Sequence, residues 1–179
     1  MKSLCIFALF SICFAVITPQ LPAQRTQSQD ALTAAERNKI EDAGIDADGR
    51  IELYADFVGE HADRIKRLAV RTAPGMARAM DHELENFSSV VDETSANLDQ
   101  YGGRMADIRK SLKKIDKELP RWQEIVKSLP GNSDYQISRD DATGALSDLA
   151  NQIRELTQKQ DAYFKEHKDA KGQQWAEPQ

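Results

Sequence analysis

The three histidines of the chain are the side chains best suited to metal or proton chemistry, and their spacing keeps them apart. His61 falls on the apolar seam of a predicted helix, His82 lies two residues past a seam position, and His167 falls in the last turn of the final predicted helix. If the first and last long helices are antiparallel, His167 lies roughly 18 Å along the axis from the level of His61. Neither Glu-x-x-His nor His-Glu-x-x-His occurs in the chain. The histidines are therefore not expected to share a metal, and His61 is expected to be a half-buried imidazole whose hydrogen bonds are satisfied.

The acidic stretch that begins at Asp46 resembles the middle of an EF-hand calcium loop, with helical sequence on both sides. Aligning Gly49 with the central glycine of that loop puts Asp46 and Asp48 at its third and fifth ligand positions. The first position is then Gly44 and the twelfth is Ala55, so two acidic ligands are missing, including the bidentate glutamate. The alternative is a turn between two helices, in which Asp48 lies near a helix start and favours the helix dipole. The second interpretation is preferred, and no residue is assigned as a metal ligand.

No sequence pattern for nucleophilic or phosphate chemistry is present. The two cysteines, Cys5 and Cys13, both lie in an amino-terminal segment that is expected to be removed, which excludes disulfides, thiolate catalysis and cysteine–metal sites in the mature protein. The chain has no Gly-x-Ser-x-Gly elbow, no Gly-rich phosphate loop and no Ser-x-x-Lys in a catalytic setting. The sequence therefore predicts a protein that is not an enzyme, with no catalytic residue and no cofactor.

Residues 1–23 have the layout of a secretory signal peptide. Lys2 precedes an almost unbroken apolar run from Leu4 to Ile17, and the small residue Ala23 follows. The run is shorter than the roughly 20 apolar residues that a membrane-spanning helix needs. Cleavage after Ala23 would leave a mature chain with no transmembrane segment, exported to the periplasm or the extracellular space. The polar residues 24–31 then predict a flexible leader.

Helical periodicity is the strongest structural signal in the remaining residues. Apolar residues recur at alternating spacings of three and four, which gives the seam that coiled-coil-like packing needs. The seam positions, expected to be core, include Leu84, Phe87, Leu112, Ile115 and Trp122, and the seam of the last helix also contains Gln160. The stripes are widened, which suits a globular bundle better than a bare two-stranded coil. Short connections favour antiparallel neighbours, so the predicted fold is an all-α, antiparallel up-down bundle over 32–168. Its four long helices are placed at 48–72, 76–101, 104–129 and 139–167, after a short helix at 33–43, and 169–179 is predicted to be a disordered tail.

Two capping boxes mark predicted helix starts. Thr33 and Glu36 have the spacing at which both side chains satisfy free backbone donors at the start of the short helix. The stretch from Ser138 to Asp141 has the same layout, so it predicts the start of the last helix.

Glycine and proline leave one boundary open. Gly102-Gly103 predicts a turn, but the seam stays in register across this pair, so 76–129 could instead be one helix of about 54 residues. The turn is preferred, because two interior glycines would cost such a helix about 2 kcal/mol relative to alanine. Pro120 is expected to kink the third long helix or to split it near Leu119.

Charge separates the two central helices. Residues 76–101 carry a net charge of −5 and residues 104–127 carry +4, so a hairpin of the two would place an acidic helix beside a basic one. In the basic segment, four cations lie two residues past seam positions and are expected to form an outward basic stripe. The stripe is either a solvated face that takes part in mutual neutralisation or a surface that binds anionic lipid headgroups or another polyanion. Its members are Lys110, Lys114, Lys117 and Arg121.

These observations favour a secreted or periplasmic helical-bundle protein that acts by binding or by structure. The expected partner is an envelope protein or an anionic surface, while the net acidic charge and few exposed aromatics argue against nucleic acid. A homo-oligomer formed through the helix seams is also compatible with the pattern. Two alternatives stay open: a periplasmic chaperone-like or stress protein with an exposed apolar face, and a ligand- or metal-binding bundle.

Overall fold

The structure is a computed structural model that describes residues 32–173. This part of the chain is all-helical and contains no strand, which confirms the predicted fold class. The predicted signal peptide (1–23) and leader (24–31) lie outside the described residues. The helices are α1 (Ala34–Asp42), α2 (Ala47–Ala69), α3 (Met76–Gly103), α4 (Arg109–Lys127) and α5 (Gln136–Glu166), followed by a 3-10 turn at Lys168–Ala170.

The four long helices alternate in direction, as an up-down bundle requires, but they are not packed in chain order. α2 packs against α3 and α4, and α5 packs against the same two helices. α3 and α4 therefore lie at opposite corners of the bundle, and the loop between them crosses its diagonal. As a result α2 runs parallel to α4, and α3 runs parallel to α5. The hairpin of an acidic helix beside a basic one is not formed.

The predicted seams meet in one core. Phe57 of α2, Phe87 of α3, Trp122 of α4 and Leu146 of α5 are each at most 1% exposed and belong to one contiguous cluster. α1 adds Ile40, which is buried against α2. Burying one such side chain contributes about 1.5–3 kcal/mol, so the seams supply most of the driving force for folding.

The prediction of a turn rather than one long helix is confirmed, but the turn follows the glycine pair, because both glycines lie in the last turn of α3 and the loop runs over 104–108. Gly102 also permits close packing, because a Cβ atom there would lie 2.6 Å from Cδ2 of Leu156. In the loop, Met105 has a φ of 54°, a left-handed conformation that is uncommon for residues other than glycine. One continuous helix over 76–129 is therefore not formed.

Pro120 does not divide the third long helix. α4 continues from Arg109 to Lys127 with the proline inside it, so the split predicted near Leu119 is wrong. The proline lacks the N–H that would bond the carbonyl of Asp116. Both residues are exposed, so water can bond that carbonyl and the helix can continue.

The two predicted capping boxes have different outcomes. The box at α1 is confirmed: Glu36 N–H donates to Thr33 Oγ1 at 3.2 Å, and Thr33 N–H donates to Glu36 Oε2 at 2.6 Å. The second box is wrong, since α5 begins at Gln136 and Ser138 lies within its first turn. The buried Ser138 hydroxyl instead donates to Asp81 Oδ1 at 2.6 Å, so it joins α5 to α3 rather than capping a helix.

The first residues of the predicted disordered tail are bonded to the bundle. After the 3-10 turn, Gly172 N–H donates to Asp107 Oδ2 at 2.9 Å, and Asp107 N–H donates to the Gln173 carbonyl at 2.8 Å. Gly172 and Gln173 are therefore attached to the loop before α4, through the carboxylate and the backbone N–H of Asp107. The rest of the predicted tail, 174–179, lies outside the described residues.

Candidate functional site

Three of the four cations of the predicted basic stripe are engaged with α2. Lys110 Nζ lies 2.7 Å from Glu52 Oε1, Lys114 Nζ lies 2.7 Å from Asp56 Oδ1, and Arg121 Nη1 lies 2.7 Å from Asp63 Oδ1. These three pairs form what we term the α2–α4 ladder. The stripe was expected to point into solvent alone. It instead lies along a row of carboxylates on the neighbouring parallel helix, so the predicted outward orientation needs this correction.

The ladder follows from matched spacing on the two helices. Each cation lies 58 residues after its carboxylate, so two parallel helices offset by this amount bring all three pairs together. The fourth member, Lys117, would face position 59, which is Gly59. Lys117 is exposed, and no ion pair involves it within the part of the chain that the structure describes. The equal spacing was visible in the sequence, but it identifies a partner only once α2 and α4 are known to be neighbours.

The ladder sets helix register more than it adds stability. The hydrogen bond that Lys110 donates to Glu52 raises the pKa of Lys110 above its ordinary value. Burial alone would lower the pKa of Arg121, but hydrogen bonds to Asp63 and Glu118 outweigh it and raise that pKa. Exposed ion pairs of this kind contribute little to folding, whereas a wrong register would leave the charges unmatched.

The start of α4 is capped by residues of other helices. Its own N-cap residue, Ile108, supplies no side-chain hydrogen bond. Asp48 of α2 accepts hydrogen bonds from the Ser111 backbone N–H, at 2.8 Å, and from the Ser111 hydroxyl. Gln160 of α5, fully buried, accepts from Ile108 N–H at 3.2 Å and donates to the Ala106 carbonyl at 2.7 Å. Free N–H groups at a helix start need such partners. The start of α4 therefore depends on α2 for the partner of Ser111 N–H and on α5 for the partner of Ile108 N–H.

The stretch that resembles an EF-hand is the start of a helix. Asp46 is the N-cap residue of α2, and Asp48 and Gly49 lie in its first turn. The carboxylate of Asp48 accepts the two hydrogen bonds from Ser111 described above. Within residues 32–173, no group of three or more His, Cys, Asp or Glu side chains is arranged to hold a metal ion. The interpretation of this stretch as an inter-helix turn with an acidic residue at the helix start is confirmed.

A groove of about 620 Å³ lies at the end of the bundle where α2 and α4 begin. Its most constrained group is Asp107, which accepts hydrogen bonds from Arg109 at 2.8 and 2.7 Å besides the one from Gly172. The hydrogen bonds from Arg109 lower the pKa of Asp107, although burial acts in the opposite direction. Asp107 serves the fold by holding Gly172 and Gln173 against the loop before α4. Other residues that line this groove include Asp46, Asp48, Lys110, Lys113 and Asp161.

His61 is buried and forms a cluster with the half-buried Glu83 and Arg64, apart from the other histidines. Its Nδ1 lies 2.7 Å from Glu83 Oε1, and the same oxygen accepts from Arg64 Nε at 2.8 Å. A carboxylate can only accept, so the hydrogen of neutral His61 is on Nδ1. The prediction of a satisfied imidazole is half right, because Nε2 is buried without a hydrogen-bond partner. His82 is exposed beside Asn86, and His167 is stacked on Tyr163 with ring centroids 4.2 Å apart.

Two half-buried glutamates of α3 have pKa values that move in opposite directions. Burial alone would raise the pKa of Glu83, but the hydrogen bonds from His61 and Arg64 lower it below its ordinary value. Burial raises the pKa of Glu93, and the charge of Arg37 offsets this only in part. The ionised form of Glu83 therefore favours the folded state, whereas that of Glu93 opposes it.

Glu83→Gln is expected to lower the free energy of unfolding by roughly 2 kcal/mol at pH 7. Because the folded pKa of Glu83 is depressed, its contribution is present above the unfolded value of 4.5 and is lost as the pH falls through the folded pKa. Urea unfolding curves of the variant and the wild type should therefore converge in acid. Glu93→Gln is the matched control, and it should not reduce stability at pH 7. A loss for Glu83→Gln that is the same at pH 3 and pH 7 would contradict the electrostatic explanation.

A second groove, which we term the outer groove, runs along the surface of α2 between α1 and α4, with a volume of about 510 Å³. Its floor contains Gly59 and Trp122, both buried. The indole Nε1 of Trp122 is buried and has no hydrogen-bond partner. The sequence predicts Trp122 only as a core residue, and its unpaired N–H could not be found without the structure.

Comparison of the chain with protein-family models, with curated proteins and with solved structures gives no match. Among residues 32–173, no helix combines the length and the apolar character that crossing a membrane requires.

Proposed function

We propose that this protein is exported and acts without catalysis, as a self-contained helical module that binds or supports a protein of the cell envelope. The export part of the proposal is supported by the layout of residues 1–23, with Lys2 before an apolar run and Ala23 after it. The module part is supported by the packing of the four long helices around a single core.

The observation that supports the module most strongly is where the apolar seams lie. Seam residues such as Leu84, Leu98, Ile115 and Ile153 are at most 2% exposed within one chain. A seam buried in this way is not available for pairing with another copy, which makes the homo-oligomer the weaker alternative. The large apolar side chains that are exposed in the described residues, Ile45, Val70 and Ile137, come from different connections and helix ends. Single exposed apolar residues are normal and give no support to a chaperone-like apolar face.

The basic stripe supports a protein partner over an anionic surface. Lys110, Lys114 and Arg121 are each paired with a carboxylate of α2, so a lipid phosphate would have to compete with an ion pair that is already formed. We therefore assign the stripe to the register of α2 and α4, and place the contact with a partner elsewhere on the polar helix faces.

Vesicle sedimentation distinguishes the two kinds of partner. The wild-type protein is expected to stay in solution with phosphatidylglycerol vesicles at low salt, where exposed charges are least screened. Replacing the four stripe residues with glutamine should lower the melting temperature by about 2–4 °C, because the ladder is lost. If the wild type sedimented with the vesicles and the glutamine variant did not, the assignment of the stripe to helix register would be contradicted.

Export is tested separately. Amino-terminal sequencing of the mature protein should begin at Gln24, and a protein that retains Lys2 would exclude export.

A further inference from the structure

We propose that the outer groove binds a short extended segment of a basic polypeptide, with a backbone carbonyl of that segment accepting a hydrogen bond from the indole N–H of Trp122. The proposal concerns the folded domain alone, so it stands whether or not the protein is exported. It rests on an unpaired buried donor, on a glycine that gives access to this donor, and on the charges at the groove rim.

The unpaired donor is the first of these observations. Trp122 is fully buried, and its Nε1 has no acceptor. Buried polar groups in proteins nearly always have a partner, and leaving one without a partner is costly. A donor that lines a groove and lacks an acceptor within the fold is suited to an acceptor brought by a ligand.

Gly59 makes the donor reachable. A Cβ atom at this position would lie 3.8 Å from Trp122 Nε1 and 3.3 Å from Arg121 Nη2. The indole N–H and the guanidinium therefore meet at one place in the floor, where any larger residue would fill the space. The Arg121 side chain is 44% exposed and is held by Asp63 and Glu118 at the surface. It can move aside without disturbing the core, which would uncover the indole N–H.

The chemistry of the ligand follows from the floor and the rim together. With Arg121 moved aside, the floor offers the indole N–H of Trp122, so the ligand must bring an acceptor. Asp63 and Glu118 at the rim are paired with Arg121, so moving Arg121 aside leaves both carboxylates without their cation, which opposes an anionic acceptor and favours a neutral carbonyl next to a positive charge. A peptide backbone with lysine or arginine side chains has both features. The rim carboxylates are Asp56, Glu60, Asp63 and Glu118, and the rim cations are Lys39, Lys114 and Arg121.

The length of the groove suits a few extended residues. Its lining on α2 runs from Leu53 to Asp63, which at 1.5 Å per helical residue is about 15 Å. An extended chain covers this distance with four or five residues. A peptide of that length would place one carbonyl over Gly59 and basic side chains near the rim carboxylates on either side of it.

The test is a titration followed at the indole N–H resonance by NMR. The 15N-labelled protein carries Trp175→Phe, so that Trp122 gives the only indole signal. The probe is acetyl-Ala-Lys-Ala-Lys-Ala-amide, and the control peptide has glutamate in place of lysine. We expect a saturable shift of the Trp122 signal with the basic peptide, and binding weaker by at least about tenfold with the acidic one. No shift at millimolar basic peptide, or equal shifts with both peptides, would overturn the proposal.

Gly59→Ala separates binding at this groove from general binding of a basic peptide to an acidic protein. Alanine is the better helix former. Its Cβ would lie 3.3 Å from the far end of the flexible Arg121 side chain and in ordinary contact with Trp122 Nε1 at 3.8 Å, so the melting curve should be retained. The same change should weaken binding of the basic peptide by at least about tenfold, because it fills the space above the indole N–H. Gly103→Ala is the matched control, since a Cβ there meets nothing within 4 Å. If the Gly59→Ala protein binds as tightly as this control, the groove is not the site.

Discussion

Replacing Gln160 with leucine is expected to lower the free energy of unfolding by about 2–5 kcal/mol. The side chain is fully buried, and it bonds two backbone groups at the start of α4, the N–H of Ile108 and the carbonyl of Ala106. Leucine has a similar size but no polar atom, so both groups would lose their partner in a place that water does not reach. Each buried group left unsatisfied costs about 1–3 kcal/mol. Urea unfolding of the two proteins at pH 7 measures the difference.

Gln158→Leu is the control for this substitution, because it makes the same chemical change on the same helix at an exposed position. A surface change of this kind is expected to stay within about 0.5 kcal/mol. If Gln160→Leu were as stable as the wild type, or more stable, Gln160 would be an ordinary seam residue and the start of α4 would need no partner from α5.

The existence of the bundle could be predicted from the sequence, because the seam period decides which face of each helix is buried. Residues such as Leu84, Phe87, Leu112 and Ile115 lie on the predicted seams, and all are buried. Helix ends were predicted well where the local chemistry is strong, as at Thr33 with its capping box. They were predicted poorly at α5, because Ser138 uses its hydroxyl on α3 rather than on its own helix.

The order of helices around the core could not be predicted in the same way. A seam shows that a helix face is buried but does not identify the helix that covers it. Short connections favour neighbours in sequence, and this preference fails at the loop between α3 and α4, which crosses the bundle. The sequence does not predict the ladder for this reason: its charge pattern pairs the basic α4 with the acidic α3, whereas the partner of Lys114 is Asp56 of α2.

The candidate sites depend on single polar atoms inside the core, and a sequence pattern treats such residues as seam positions. Gln160 and Trp122 both fit the predicted seam, and both are fully buried. They differ in hydrogen bonding: the Gln160 side chain has two backbone partners, and the indole N–H of Trp122 has none. Whether a buried polar atom finds a partner depends on residues far away in the chain, which periodicity does not describe.

Leu112→Ala is expected to cost about 2–5 kcal/mol of stability. The residue lies on α4 and is 1% exposed in the single core of the bundle. Truncation removes apolar contacts and leaves a cavity, which the helices around it can fill only in part. Because α4 packs against both α2 and α5, the loss should affect the whole bundle at once. We therefore expect a single unfolding transition at lower urea concentration, without a change in its slope.

The companion variants show whether the core or the charged surface holds α4 in place. Lys117→Ala alters an exposed cation that has no ion pair within the described residues, and its effect should stay within about 0.5 kcal/mol. Lys114→Ala removes the ladder pair with Asp56. Its loss of stability should lie between the losses of Lys117→Ala and Leu112→Ala, within about 1 kcal/mol. A Lys114→Ala loss as large as that of Leu112→Ala would mean that the ladder, and not the seam, supplies most of the energy that binds α4 to α2. The stripe would then have a structural importance far beyond that of ordinary surface ion pairs, and an anionic partner that competed for it would destabilise the protein on binding.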